Sequence, residues 1–151
     1  MGILEDYLAA REKLKIDVEE VLLTHVAPAV MDEMQEQVQE KVYDAYIPRV
    51  YVRRMEDGGL KDRRNYEASV EVGSMTLTVE NLTKDAGYWR PPGMGDRFLT
   101  PVVESGVGYD YKSPGPRPFN EATEQEVVQS GTVDRELKIG LTERGHNIKE
   151  G

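Results

Sequence analysis

The residues best suited to binding a ligand or partner lie together between positions 46 and 64. Tyr46 and Tyr51 stand here among five arginines: Arg49, Arg53, Arg54, Arg63 and Arg64. Guanidinium groups grip phosphate or carboxylate oxygens, and aromatic rings stack on bases. Tyrosine and arginine are also enriched at the energetic centres of protein interfaces. The segment therefore predicts either a nucleic-acid contact or a protein interface.

The net charge favours the protein interface. The 151 residues carry a formal charge of −9, whereas phosphate contacts by basic groups dominate the affinity of nucleic-acid binders. Residues 1–46 carry 11 acids against 4 bases, a net −7, and residues 49–64 carry 6 bases against 3 acids, a net +3. A negative helical region and a positive loop predict self-complementary contacts between neighbouring subunits. The alternative is that the helix face and the loop are simply exposed to solvent.

Catalysis has little support in the sequence. The chain has no cysteine, which excludes disulfides, thiolate nucleophiles and cysteine-type zinc sites, and its two histidines are far apart. It contains no nucleophile-elbow, phosphate-loop or zinc-protease motif. We expect no enzyme activity, no catalytic residue, no metal and no cofactor. A hydrolase with a pocket lined by Asp96, Glu104 or Asp110 is a minor alternative.

Two further loops carry recognition residues. Residues 84–98 are rich in Gly, Pro and Arg and include Trp89 and Arg90, where the tryptophan either fills the core or inserts into a neighbour. The proline-rich stretch 113–119 ends in Arg117 and Phe119, and we predict that Phe119 is a buried anchor for the last helix.

Apolar spacing predicts the elements that position these loops. Residues 3–24 and a stretch ending at Ile47-Pro48 have helical periodicity, with Pro28 marking a kink or a junction at 24–27. Alternating residues on either side of Gly73-Ser74 predict a β-hairpin over 66–82. Residues 99–103 fit a short strand or a helical turn, and a helical pattern begins with Asn120 as a candidate N-cap.

These elements predict an α+β fold, with a long N-terminal helix or helix pair on a small antiparallel sheet and a C-terminal helix. We expect one domain over 1–151. Its parts are a helical region at 1–46, a basic loop at 47–65, the hairpin at 66–82, long loops with a short strand or turn at 84–119, and a C-terminal helical region at 120–145.

Ordered motifs resemble a phage family. The run from Tyr43 through Pro48 and Arg53 to Asp62 is similar to the "Y-x-x-Y-x-P…Y-x-R-R…G-G-L-x-D" block of phage neck and tail-component proteins. The stretch 103–107 resembles their "V-E-x-G-T" element, with Val107 in place of the threonine, and 116–123 resembles their "Q/R-P-F-x-x-A/N-T" signature. Residues 137–148 resemble their ending of the form "L-K-x-G-L-x-x-R-G-x-x-I". Loop 84–98 departs from that pattern.

The resemblance implies a structural virion protein of a tailed phage, namely a head–tail joining or tail-completion subunit that forms a ring, with six-fold symmetry expected. A tail terminator or another tail-tube-end protein is one alternative, and a nucleic-acid-binding module using 46–64 is another. Implied partners are the chain itself, a head-completion or connector protein, and a tail-terminator or tail-tube protein, while DNA passes without sequence-specific binding.

The resemblance also implies a place in the virion neck or tail, after assembly in the bacterial cytoplasm. The opening residues predict no signal peptide, and we expect no membrane contact. Interface candidates are Tyr46, Tyr51, Arg53, Arg54, Gly58, Gly59, Leu60, Trp89, Arg90, Arg117 and Phe119.

Overall fold

The structure is a computed structural model, and it describes residues 2–48, 53–85, 97–109 and 112–149. The predicted α+β fold is confirmed: a long N-terminal helical region, an antiparallel two-stranded hairpin and C-terminal helices. The chain divides into two compact units, and each is described by itself below. The expectation of a single domain stays a prediction.

The N-terminal helical region contains two α-helices and two π-helical turns. Helix α1 is Ile3–Val21 and α2 is Ala27–Gln37; π-helical turns follow each of them, at Leu22–Val26 and Val38–Tyr43. Pro28 has no amide proton, so the carbonyl of Thr24 loses its usual helical donor. The Ala27 N–H instead bonds to the carbonyl of Leu22, five residues back. The predicted kink or junction is therefore a π-helical turn, and the region ends at Tyr43, before Ile47.

The hairpin consists of β1, Tyr66–Glu71, and β2, Thr76–Asn81. Apolar and polar side chains alternate between half-buried and exposed along both strands, as the sequence pattern predicts. The positive φ of the turn belongs to Met75, at 52°, and not to Gly73. Because β1 ends at Glu71 and β2 begins at Thr76, the turn is wider than the predicted Gly73-Ser74 pair.

Three more α-helices follow in the described second half of the chain: α3 at Leu99–Ser105, α4 at Phe119–Gln129 and α5 at Thr132–Glu143. Residues 99–103 are therefore helical, which decides between the two predicted alternatives. Asn120 is not an N-cap, because α4 begins one residue earlier; its N–H donates to Oε1 of Glu104 at 2.5 Å. Gly131 adopts a left-handed conformation and separates α4 from α5.

One unit comprises residues 1–30, 68–79 and 127–151. Here α5 packs against α1 and the π-helical turn that follows it. The buried apolar side chains of this unit are Val21, Leu22, Val26, Ala27, Val127 and Leu141. The carboxylate of Asp17 accepts hydrogen bonds from Lys13 and from His146, at 2.5 and 2.6 Å. These bonds, that of Lys13 first, lower the pKa of Asp17.

The other unit comprises residues 31–67 and 80–126. Its buried apolar side chains are Met34, Val38, Val42, Tyr43, Leu60, Tyr66, Val102, Val103 and Phe119. This unit contains the described residues of the first three neck-protein motifs, and the motif at 137–148 belongs to the unit described before it. Across all described residues of both units, no helix combines the length and the apolar character needed to span a bilayer.

Candidate interface site

The glycine motif after Arg54 forms a tight loop closed by one carboxylate. Gly58 has a φ of 77°, in the region that favours glycine, and its N–H donates to Oδ2 of Asp62 at 2.6 Å. Asp62 is buried and also accepts from the backbone N–H and the guanidinium of Arg64. The Arg64 bond, and then the Gly58 bond, hold the pKa of Asp62 well below its ordinary value.

Four side chains converge on two consecutive carbonyl groups of this loop. The Gly59 carbonyl accepts from Asn65 Nδ2 at 3.1 Å and from Thr83 Oγ1 at 3.3 Å. The Leu60 carbonyl accepts from Tyr66 Oη at 2.7 Å and from Asn81 Nδ2 at 2.8 Å. Burial raises the pKa of Tyr66, so this phenol stays a donor. The motif is thereby tied to the base of the hairpin.

Arg53 belongs to an aromatic cluster at the end of the helical region. Its Nη1 donates to the Tyr43 carbonyl at 2.6 Å, and its guanidinium carbon lies 5.1 Å from the Tyr43 ring centre and 5.6 Å from that of Tyr46. These distances allow cation–π attraction. Arg53 Nη2 is buried and has no hydrogen-bond partner among the described residues.

Arg117 approaches the same tyrosine from a distant part of the chain. Its guanidinium carbon lies 5.9 Å from the Tyr46 ring centre and 5.8 Å from that of Tyr109, and its Nη2 donates to Tyr109 Oη. Its Nη1 lies 3.5 Å from the Val42 carbonyl, at the limit for a hydrogen bond. Arg117 is 9% exposed, and its Nε is buried without a partner in the part of the chain that the structure describes.

Two guanidinium groups therefore approach one tyrosine ring, and no carboxylate in the described part of the chain forms an ion pair with either of them. A buried charge without a counter-charge is costly, and a buried N–H without an acceptor adds to that cost. Such an arrangement suits an incoming oxyanion, either a carboxylate or a phosphate. We call Arg53, Arg117, Tyr43, Tyr46 and Tyr109 the arginine–tyrosine cluster.

The segment that carries Arg117 is held against α3. The Arg117 N–H donates to the Val103 carbonyl at 2.9 Å. Gly106, with a φ of 71°, comes so close to Gly115 and Pro116 that an added Cβ would lie 2.5 Å from the Pro116 nitrogen. Phe119 is fully buried, as expected of an anchor, although the helix that it begins, α4, is not the last one. The motifs at 103–107 and 116–123 thus meet at a glycine contact.

The structure places the predicted interface residues in several different environments. Tyr46, Arg53 and Arg117 meet in the arginine–tyrosine cluster, and Arg54 donates instead to the Lys84 carbonyl at 2.6 Å. Gly58, Gly59 and Leu60 build the closed loop, while Phe119 lies in the core. Tyr51, Trp89 and Arg90 lie outside the described residues.

Sequence reasoning did not single out Tyr43 and Tyr109. Tyr43 stands in the first motif, next to the chosen Tyr46, so its position in the motif was an available signal. Tyr109 lies in no motif, and no sequence signal points to it. Glu104, named for the minor hydrolase alternative, accepts the Asn120 N–H, and burial raises its pKa. Asp96 and Asp110 lie outside the described residues.

Among the residues that the structure describes, no group of three or more His, Asp or Glu side chains is arranged to hold a metal ion. Comparison with curated proteins finds no match, and comparison with solved structures finds none either. The family described as YomN matches residues 4–143, and its name comes from a Bacillus phage gene, which indicates a phage protein. The match spans nearly the whole chain, and the protein belongs to the YomN family.

Proposed function

We propose that this protein is a structural subunit of the phage neck that joins the head connector to the tail as part of a homo-oligomeric ring. The observation that carries the proposal is the approach of Arg53 and Arg117 to the same aromatic ring, that of Tyr46. Two motifs that resemble neck proteins, 43–62 and 116–123, meet at the Tyr46 side chain although 53 residues lie between them. Their convergence supports the resemblance, because unrelated chance similarities have no reason to meet in space.

The chemistry of the cluster supports a protein partner. Tyrosine and arginine are typical interface anchors, and the two guanidinium groups lack a carboxylate within the described chain. Ile47, next to Tyr46, is 80% exposed. An apolar contact at Ile47 combined with a carboxylate from the partner would cover the exposed side chain and compensate the two charges.

The other described arginines of this segment weigh against the nucleic-acid alternative, while Arg49 lies outside the described residues. Arg54 bonds to a backbone carbonyl, Arg63 to Asp32 at 2.8 Å, and Arg64 to Asp62 at 2.6 Å. Each of these guanidinium groups already donates to an acceptor within the chain, and Asp32 and Asp62 offset the charges of Arg63 and Arg64 that would attract phosphate. Salt-dependent DNA binding that is lost when Arg53 and Arg54 are both changed to alanine would support that alternative instead.

The test of the proposed role is genetic and structural. Removing the gene from the phage or prophage that encodes it should leave DNA-filled heads and separate tails in electron micrographs. Supplying the wild-type chain from a plasmid should restore joined particles. Normally joined particles without the protein would overturn the proposal.

Arg117→Met separates the role in assembly from the role in folding. Replacing a buried charge with an apolar side chain of similar length should change the free energy of unfolding by less than about 1 kcal/mol, or raise it. The same variant should fail to restore joined particles. A folded Arg117→Met protein that joins heads to tails normally would show that the cluster does not contact a partner.

A further inference from the structure

The first half of α1 is an apolar surface that the described chain leaves uncovered. Every residue from Gly2 to Leu14 is exposed, including large apolar side chains. Ile3 is 90% and Tyr7 is 62% exposed, and Leu4, Leu8 and Leu14 are exposed as well. A contiguous apolar surface of this kind on a regular helix marks a contact with another molecule.

This half of α1 is attached to a firmly held second half. Arg144 Nη2 bonds to Glu20 at 2.8 Å, and His146 bonds to Asp17 at 2.6 Å. At the N-terminal end of α1, the Gly2 N–H donates to Oε2 of Glu5 at 3.3 Å and so caps the helix. Ile3–Leu14 therefore projects as about 18 Å of capped helix from an anchored base.

The spacing of the exposed apolar residues is that of a helix pair. Ile3, Tyr7, Ala10 and Leu14 are separated by four, three and four residues, which is the heptad pattern of two helices that run side by side. These apolar residues would form the seam, the line of contact between the two helices. In a parallel pair, a residue beside the seam on one helix faces the residue five positions later on the neighbouring helix. Asp6 and Arg11 are five positions apart, on opposite flanks of this seam.

Asp6 and Arg11 carry opposite charges, and neither forms an ion pair with any residue in the described part of the chain. Lys13 and Lys15, by contrast, are paired within the helix, with Asp17 and Glu12. A second copy in parallel orientation would bring Arg11 of one chain to Asp6 of the other. The charges that remain unpaired are thus those that a parallel neighbour would pair.

We propose that Ile3–Leu14 packs in parallel against the same segment of a second copy of this chain, with Asp6 of one copy facing Arg11 of the next. This inference rests on the proposed ring. Rotation about a ring axis leaves the helices of neighbouring subunits pointing the same way along that axis, and each helix then presents its Asp6 flank to one neighbour and its Arg11 flank to the other.

Charge reversal on the full chain tests the pairing. Asp6→Arg and Arg11→Asp should each weaken self-association by about fivefold, measured by sedimentation velocity, because each places like charges across the seam. The double variant should restore association. Glu12→Arg, on the face opposite the seam, is the matched control and should leave association unchanged. Single variants that associate like the wild type, or a double variant that associates no more strongly than either single variant, would overturn the pairing.

Cysteine cross-linking tests the direction, because the chain has no native cysteine. Leu14→Cys alone should form a disulfide-linked dimer under mild oxidation, since a parallel seam brings position 14 next to itself. An antiparallel pair would instead link Leu14→Cys to Ile3→Cys in a mixture of the two variants, and that result would overturn the proposal.

Other occupants of the helix would also be visible. A wild-type chain that stays monomeric at its highest soluble concentration, with or without binding to phosphatidylcholine vesicles, would overturn the pairing and point to a membrane surface or a different protein. Neither outcome decides the role in the neck, because that proposal is judged by whether particles are joined.

Discussion

Gly140 of α5 lies so close to Val21 of α1 that a methyl group on the glycine would overlap the valine side chain. The added Cβ would also lie 2.9 Å from Cδ2 of His25. This close approach lets α5 pack tightly on α1 and hold the base from which the exposed half of α1 projects.

Gly140→Ala should therefore destabilise the protein, although alanine is the better helix former. Overpacking at such a position costs about 1–3 kcal/mol. The better helix propensity of alanine offsets only about 1 kcal/mol of that cost. Urea denaturation measures the change. Gly73→Ala is the control, because its Cβ would meet nothing within 4 Å. Equal stability of the two variants would contradict the tight packing.

Phe119→Ala should lower the free energy of unfolding by about 3–5 kcal/mol, because the ring is fully buried at the start of α4. Chemical denaturation followed by circular dichroism gives the value. Phe98 is 46% exposed, so Phe98→Ala should cost clearly less. Similar losses for both rings would show that Phe119 is not the anchor.

Gly58 and Gly59 should respond differently to substitution, for two physical reasons. At Gly58 only the positive φ opposes a side chain, so Gly58→Ala should cost about 1–2 kcal/mol and Gly58→Asn less, since asparagine tolerates this conformation. At Gly59 an added Cβ would lie 2.5 Å from the Met55 backbone nitrogen. Gly59→Ala should therefore be the most damaging of the three, and thermal melts that rank the variants otherwise would reject this explanation.

Asp62 should make stability depend on pH in the acid range. Its pKa is lowered from the ordinary 3.8 in the folded state, so the ionised carboxylate stabilises the fold above that value. The stabilisation is lost as the pH falls below 3.8 toward the lower folded-state pKa. Wild type should melt above Asp62→Asn at neutral pH, and the difference should shrink in acid. A difference that is constant with pH would exclude this role for the charge, and Glu67→Gln, at an exposed strand position, serves as the control.

The sequence was sufficient for the elements whose pattern is local. Alternation predicts β1 and β2, and periodicity predicts the helices on either side of Pro28. Periodicity also places Ile3, Tyr7 and Leu14 on one face, but it carries no information on whether the chain covers that face. Within the described residues, the face stays uncovered.

The candidate site was only partly predictable, because its residues depend on long-range interactions. Arg53 and Arg54 are neighbours in sequence, yet one enters the arginine–tyrosine cluster and the other bonds to the Lys84 carbonyl. Asn120 has the residue type of an N-cap, but it is the second residue of α4. Its N–H donates to Glu104 of α3. No sequence pattern predicts the hydrogen bond between Tyr109 and Arg117.

Relieving backbone strain in the hairpin turn should stabilise the protein. Met75 occupies a left-handed conformation that costs a non-glycine residue about 1–2 kcal/mol, while Gly73 in the same turn has no positive φ. Glycine or asparagine at position 75 would relieve that strain without altering either strand, which makes this turn a rational starting point for engineering a more thermostable form of the protein.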